Sequence, residues 1–248
     1  MRMFKYIIII FFNLSIVLSQ NIDEIFEDGN RFYNQNSYKE AVKNYEMILD
    51  YGYFSEDLFL NLGNSYFQES NFGQARWSYE MGLKLNPMNT DLQNNSNINK
   101  LYIEGFIDLP KNDLIDLTNI FFQSFSLNQF LLINSLLILL SAISFFVMRI
   151  TQMKIHISFF YFSTIIMFIS VLVTFTKNIW DQNNIFGIII ENEVIVYSAP
   201  FSNQAIEQSV FYSGNKVKIH QKTNLWIEVS TFDGRKGWIR ALDVRNLY

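Results

Sequence analysis

The chain has 248 residues, 50% of them hydrophobic, and a formal net charge of −4. It is too apolar for a plain soluble domain of this size and too polar for a protein made only of membrane spans, which suits modest domains flanking membrane segments. The slight negative charge gives no basis for nonspecific nucleic-acid binding, and the lack of cysteine excludes disulfides, thiol catalysis and thiolate metal sites.

Residues 1–19 carry Arg2 and Lys5, then the apolar runs Tyr6–Phe12 and Leu14–Leu18, with small Ser19 before Gln20. A basic start, an apolar core and a small exit residue predict a secretory signal peptide, cleaved after Ser19. An uncleaved anchor helix is the alternative. In both cases the segment that follows is exported.

Residues 20–108 repeat themselves. A shift of 34 carries Gly29, Ala41 and Tyr45 onto Gly63, Ala75 and Tyr79, and Asn30 and Phe32 onto Asn64 and Tyr66. The expected helices are Ile22–Gln35, Tyr38–Tyr51, Glu56–Glu69, Phe72–Leu85 and Thr90–Glu104, giving copies at about 22–55 and 56–89 and a capping helix at 90–104. Glycine and alanine let paired helices approach, and the aromatics fill the space between them. In the capping helix, Leu92, Ile98 and Leu101 are expected to pack, with Asn99 among the residues of its polar side.

The Gly/Ala/Tyr spacing resembles the tetratricopeptide repeat (TPR), a family of stacked helical hairpins. The resemblance implies a concave groove for peptide segments, lined by Asn30, Tyr33 and Asn34 in the first copy and Asn64, Phe67 and Gln68 in the second. The amides of Asn30 and Asn64 would hydrogen-bond an extended backbone. Phe26 and Leu60 stand where a carboxylate-clamping lysine would be sought, which argues against that mode. Residues 20–108 hold 14 acids against 6 Lys+Arg, which fits either an acidic binding surface or a solvated exterior.

Residues 109–129 read equally as a linker or as an in-plane amphipathic helix. Two runs without Asp, Glu, Lys or Arg follow, Phe130–Met148 and Ile155–Phe175, of 19 and 21 residues. At about 1.5 Å per residue each crosses the roughly 30 Å apolar core of a bilayer. They predict a two-helix transmembrane hairpin, spans 130–148 and 155–176, joined by loop 149–154. Asn134, Ser135, Ser141, Ser144 and Ser163 are expected at helix–helix contacts. Arg149 and Lys154 favour a cytoplasmic loop, so both flanks face the extracytoplasmic side of the inner membrane.

From residue 185 to 248 the pattern changes to short strands: Gly187–Ile190, Val194–Tyr197, Lys216–His220, Leu225–Val229 and Gly237–Arg240. Five strands suggest a small barrel that closes its own edges. The Gly237-Trp238-Ile239 close, with Trp226 upstream, resembles a bacterial SH3-like domain, although Ile195–Ser198 departs from that family's usual stretch. Tyr197, Tyr212, Trp226 and Trp238 are candidates for a peptide-binding surface, with core packing the alternative for the two tryptophans. Charges balance, with 7 Lys+Arg and 6 acids over residues 187–248.

No catalytic constellation or cofactor motif is present, and the two histidines, His156 and His220, fall in separate segments. The paired carboxylates Asp23-Glu24, Glu27-Asp28 and Glu56-Asp57 read as helix first-turn acids. The expectation is a protein that is not an enzyme, holding neither metal nor cofactor. The order of signal peptide, TPR pair, hairpin and SH3-like domain resembles E-type members of the Bacteroides aerotolerance (Bat) family. That resemblance implies an inner-membrane scaffold in aerotolerance or envelope stress. Its implied partners are other Bat proteins, including von Willebrand A-type components, with a link to a MoxR-type ATPase. A sensor that binds cell-wall peptides through the SH3-like domain is the alternative.

Overall fold

The computed structural model describes residues 22–106, 121–122, 124–200 and 206–247. The expected signal peptide and most of the 109–129 segment lie outside the described residues.

Five helices open the chain: α1 (22–34), α2 (Tyr38–Asp50), α3 (Glu56–Gln68), α4 (Phe72–Leu85) and α5 (Thr90–Lys100). Their starts are set by side chains. Ser55 accepts from the Leu58 N–H, Asn71 from the Gln74 N–H, and Asn89 from Asp91 and Leu92, each satisfying first-turn donors. Asn36 and Ser70 turn the chain with positive φ at equivalent places in the two helix pairs. The acids Glu56 and Asp57 sit in a first turn as expected, whereas Glu27 and Asp28 lie inside α1, where Asp28 pairs with Arg31.

The 34-residue spacing is reproduced in the packing. A Cβ on Gly29 would meet the Tyr45 ring at 2.5 Å, and one on Gly63 would meet the Tyr79 ring at 2.5 Å. Each tyrosine ring therefore lies against a bare backbone in the preceding helix. The capping helix differs from expectation. It stops at Lys100, Ile98 and Leu101 are exposed, and Asn99 is buried, donating to the Phe72 carbonyl at 2.9 Å. Leu92 alone fills the apolar position, under Gly82.

Helices α6 (Leu127–Thr151) and α7 (Lys154–Asn183) form an antiparallel pair, each long and apolar enough to cross a membrane. Ser126 and Gln129 make a capping box at the start of α6. The connector is shorter than the six residues expected: Arg149–Thr151 continue α6 and Lys154 begins α7, leaving Gln152, with φ +52°, and Met153. Asn134 donates to Thr174 at 2.7 Å, Ser141 and Thr164 lie 3.1 Å apart, and Ser144 and Ser163 are buried at the helix–helix contact. Ser135 does not join them. It is exposed and bonds its own helix at the Leu132 carbonyl.

The C-terminal module has seven antiparallel strands: β1 (Phe186–Ile189), β2 (Glu193–Tyr197), β3 (Glu207–Tyr212), β4 (Lys216–Lys222), β5 (Trp226–Ser230), β6 (Lys236–Arg240) and β7 (Val244–Leu247). Their order is β3-β2-β6-β5-β4-β1-β7. Val194, Val196, Phe211, Val217, Ile227, Val229, Ile239 and Val244 form one core inside the coiled sheet. Two strands, β3 and β7, were not among the five expected. The sheet also does not close: among the described residues β3 and β7 are its ends and do not pair. The β7 edge is covered instead by α4.

That contact joins the two modules. Trp77 and Met81 of α4 share one apolar core with Ile188 of β1 and Leu247 of β7. Burying those two aliphatic side chains contributes roughly 1.5–3 kcal/mol each.

Candidate functional site

Helices α1 and α3 are the first members of their pairs, and α5 follows them in register. Tyr33, Asn64, Phe67, Gln68, Tyr79, Asn95 and Ile98 line an open groove of about 240 Å³ along this face. Four of the six residues expected there from sequence, Tyr33, Asn64, Phe67 and Gln68, are therefore brought together. Asn30 and Asn34 do not line it.

The two repeat-equivalent asparagines also hold the array together through their side-chain oxygens. The Asn30 carbonyl oxygen accepts from the Tyr45 hydroxyl at 2.8 Å and from the Asn61 amide at 3.0 Å. The Asn64 carbonyl oxygen accepts from the Tyr79 hydroxyl at 2.9 Å and from the Asn95 amide at 2.7 Å. Both triads obey the same 34-residue shift, 30/45/61 onto 64/79/95. The second extends the repeat into α5, which stands as the first helix of a further unit. With both acceptors saturated, each amide is fixed in orientation, and its Nδ2–H₂ makes no hydrogen bond among the described residues. In the groove, Asn64 thus presents a donor with its orientation already set. Burial pushes the Tyr79 hydroxyl pKa up, so it remains a proton donor to Asn64.

The opposite face is occupied by the β module. Arg245 of β7 donates from both terminal nitrogens to the Glu46 carboxylate of α2 at 2.7 Å each, reaches Gln74 at 2.9 Å, and lies 3.4 Å from the centre of the Trp77 ring. Tyr66 donates to the same carboxylate at 2.7 Å. Trp77 donates its indole N–H to the Asn246 carbonyl at 2.8 Å, and Arg76 donates to the Gly214 carbonyl at 2.6 Å. Lys216 pairs with Glu80 at 2.8 Å. Burial alone would raise the Glu80 pKa, but the charges of Lys216 and Arg76 outweigh it and hold the carboxyl at about 2, below its ordinary 4.5. Gly73 lets β1 and the Ser213–Gly214 turn approach α4 to backbone contact. None of these partners is visible as a pair in the sequence; Glu46 and Arg245 are 199 positions apart.

On the β module, Tyr197, Trp226 and Trp238 share the face opposite the core. The Tyr197 and Trp226 rings meet edge to face at 5.6 Å, and Tyr197 is paired across the sheet with Trp238. All three are half-buried, with Glu228 opposite Trp238 and Arg240 opposite Trp226. Tyr212 is separated from them. It packs against Gly105 and lines a second cleft, about 600 Å³, with Phe72, Tyr102, Glu104, Glu191 and Ser213 where the modules meet. His220 is exposed, 2.8 Å from Ser230.

The coiled antiparallel sheet with an aromatic outer face defines the class of its module, a small β domain. Residues 192–244 match the family model of the bacterial SH3 domain. No curated protein matches the chain. Strand β1 and all of β7 except Val244 fall outside the matched segment, and these are the strands that dock on α4.

Proposed function

We propose that the protein is a non-enzymatic membrane scaffold that holds an extended segment of a partner protein in the groove of α1, α3 and α5. The helical pairs are read as TPR units on their Gly–Tyr packing and 34-residue triads. One observation carries the reading: the β module covers α4 and Glu46 of α2, while the groove lined by Tyr33, Asn64, Phe67 and Gln68 stays open. Two spans in a hairpin would leave both modules on one side of the membrane, and the basic residues Arg149 and Lys154 with the leader-like residues 1–19 support the extracytoplasmic side. In a Bat-type assembly the partner is another membrane protein, such as a von Willebrand A-type component, with a MoxR-type ATPase further along.

The test uses the full chain, because α4 relies on β1 and β7 for cover. A photocrosslinker at Phe67 or Gln68 in native membranes should capture one and the same von Willebrand A-type protein. A crosslinker at Lys43, outside the groove, should not. Capture that is equal from all three positions contradicts the groove.

A second reading is favoured by the Tyr197–Trp226–Trp238 face, which suits a cell-wall peptide. Sedimentation of the full chain with purified cell wall, lost in Trp226→Ala, supports it; unchanged sedimentation opposes it.

A further inference from the structure

The hydrophobic core takes up most of the large apolar side chains of the helical module; apart from Ile98, Leu101 and Tyr102 along and after α5, the exposed ones concentrate at one end. The chain turns between α2 and α3 through Tyr51, Tyr53 and Phe54, which are 53%, 44% and 56% exposed. It turns between α4 and α5 past Leu85 and Met88, which are 39% and 66% exposed. These two turns are neighbours, since Asn89 donates to Glu56 at 3.3 Å. Five large apolar groups thus gather on one end of a small module, where isolated exposed hydrophobics would be ordinary and a cluster is not.

That end faces the membrane hairpin. Chain leaving α7 enters β1 directly, and β1 packs on α4 with Gly73 beside Ile189. At the other end of the same contact, Lys216 stands between Glu80 and the Phe186 ring, and Lys218 bonds Asn184 just past α7. Helix α4 therefore runs toward the exit of α7, and Lys84 lies in its last turn, where burial lowers its pKa. Lys177 lies over the Trp180 ring, an arrangement typical of the membrane–water interface.

The geometry points to a lipid-binding surface: Tyr51, Tyr53, Phe54, Leu85 and Met88 insert into the headgroup zone of the bilayer that α6 and α7 cross. The inference rests on the reading of α6 and α7 as a membrane hairpin. Asp50, Asp57 and Glu56 stand at the same end, so the attachment is apolar and does not need anionic lipid. Its consequence is orientation. A module held by the exit of α7 and by a second contact cannot swivel, and the groove is presented at a fixed height above the bilayer.

Because the chain has no cysteine, single labels are direct. The full chain, carrying an environment-sensitive fluorophore at Phe54→Cys, Met88→Cys or Gln35→Cys, is reconstituted in phosphatidylcholine vesicles with a nitroxide placed near the headgroup. Gln35 lies in the turn after α1, at the opposite end of the array. The expected result is several-fold stronger quenching and a blue-shifted emission at 54 and 88 relative to 35. Equal quenching at the three positions overturns the inference. A label at Leu139→Cys, in the middle of α6, tests the hairpin with a nitroxide deep in the acyl chains. If 139 is quenched and 54 and 88 are not, the lipid surface fails while the hairpin stands; if 139 is not quenched, both fail.

Discussion

The guanidinium of Arg245 grips the carboxylate of Glu46 through two parallel 2.7 Å hydrogen bonds while lying flat on the Trp77 ring. The pair ties the last described strand to the second helix, across a chain path that includes the whole hairpin. Arg245 is partly shielded from water, and although burial opposes its charge, Glu46 more than compensates and raises its pKa. Such a charge-assisted, bidentate contact is geometrically demanding and contributes to the placement of the β module as much as to stability.

Arg245→Ala should loosen the modules. Loss of a charge-assisted pair, which also leaves Glu46 and Tyr66 facing each other, is expected to cost about 2 kcal/mol. Limited proteolysis of the reconstituted protein should cut between α7 and β1 faster than in the native chain. Arg245→Lys should rescue only in part, because an ammonium cannot make the fork or stack on Trp77 in the same way.

Glu80 makes the same interface sensitive to acid. Its folded pKa is depressed from 4.5 to about 2, so its contribution is complete above about pH 4.5 and disappears as the pH falls through about 2. Thermal unfolding of the native chain and of Glu80→Gln, followed from neutral pH downward, should differ most at neutral pH. The two curves should converge across that window. A constant difference would show that the Lys216–Glu80 pair does not titrate with folding.

The repeat-equivalent glycines make a paired prediction. Gly29→Ala and Gly63→Ala each push a methyl group into a tyrosine ring already in contact with the backbone. Overpacking of this kind costs about 1–3 kcal/mol. The two variants should lose comparable stability, read from denaturant midpoints, whereas alanine at Gly52, with nothing near its Cβ, is disfavoured only by its φ of +80°.

Asn64→Asp separates the scaffold role of this residue from its role in the groove. It keeps the oxygen that Tyr79 and Asn95 donate to, and it removes the amide donor facing the groove. Folding should be nearly unchanged, while partner affinity falls by about tenfold, the value of one directed hydrogen bond of roughly 1–1.5 kcal/mol. Unchanged affinity would exclude the Asn64 amide from recognition.

Much of this architecture was legible because it is local. Glycine, alanine and tyrosine at fixed spacing report a close helix pair, Phe72–Leu85 is bounded by its own Asn71 cap, and uncharged runs report α6 and α7. Strand β7 was missed because Val244-Arg-Asn-Leu247 is half polar: its polar residues serve α2 and α4 rather than water, so the alternation that marks a solvated strand is absent. Strand β3 is itself an end of the sheet and opens with Glu207-Gln208-Ser209, so only Val210–Tyr212 carry an apolar signal. Ile98 and Leu101 were expected to pack because periodicity assumes a neighbour on the apolar side. Directly after α5 the described chain turns through Tyr102 and Ile103, and Ile103 packs on Gly214. The groove was readable only through the resemblance to the tetratricopeptide repeat, which implied Tyr33, Asn64, Phe67 and Gln68. The saturation of the Asn30 and Asn64 oxygens was not, because it depends on side chains 15 and 31 positions away.

The β module docks on the back of the helical pairs and leaves the groove free, so that the two modules form one body. Lys216 and Glu80 touch at 2.8 Å, close enough for a zero-length carbodiimide to join them as an amide. Treated in intact membranes and digested, the protein should yield a crosslinked peptide containing both residues, alongside the within-module Lys236–Glu228 link at 3.0 Å. Recovery of the Lys236–Glu228 link without any Lys216–Glu80 product would show that the modules are apart.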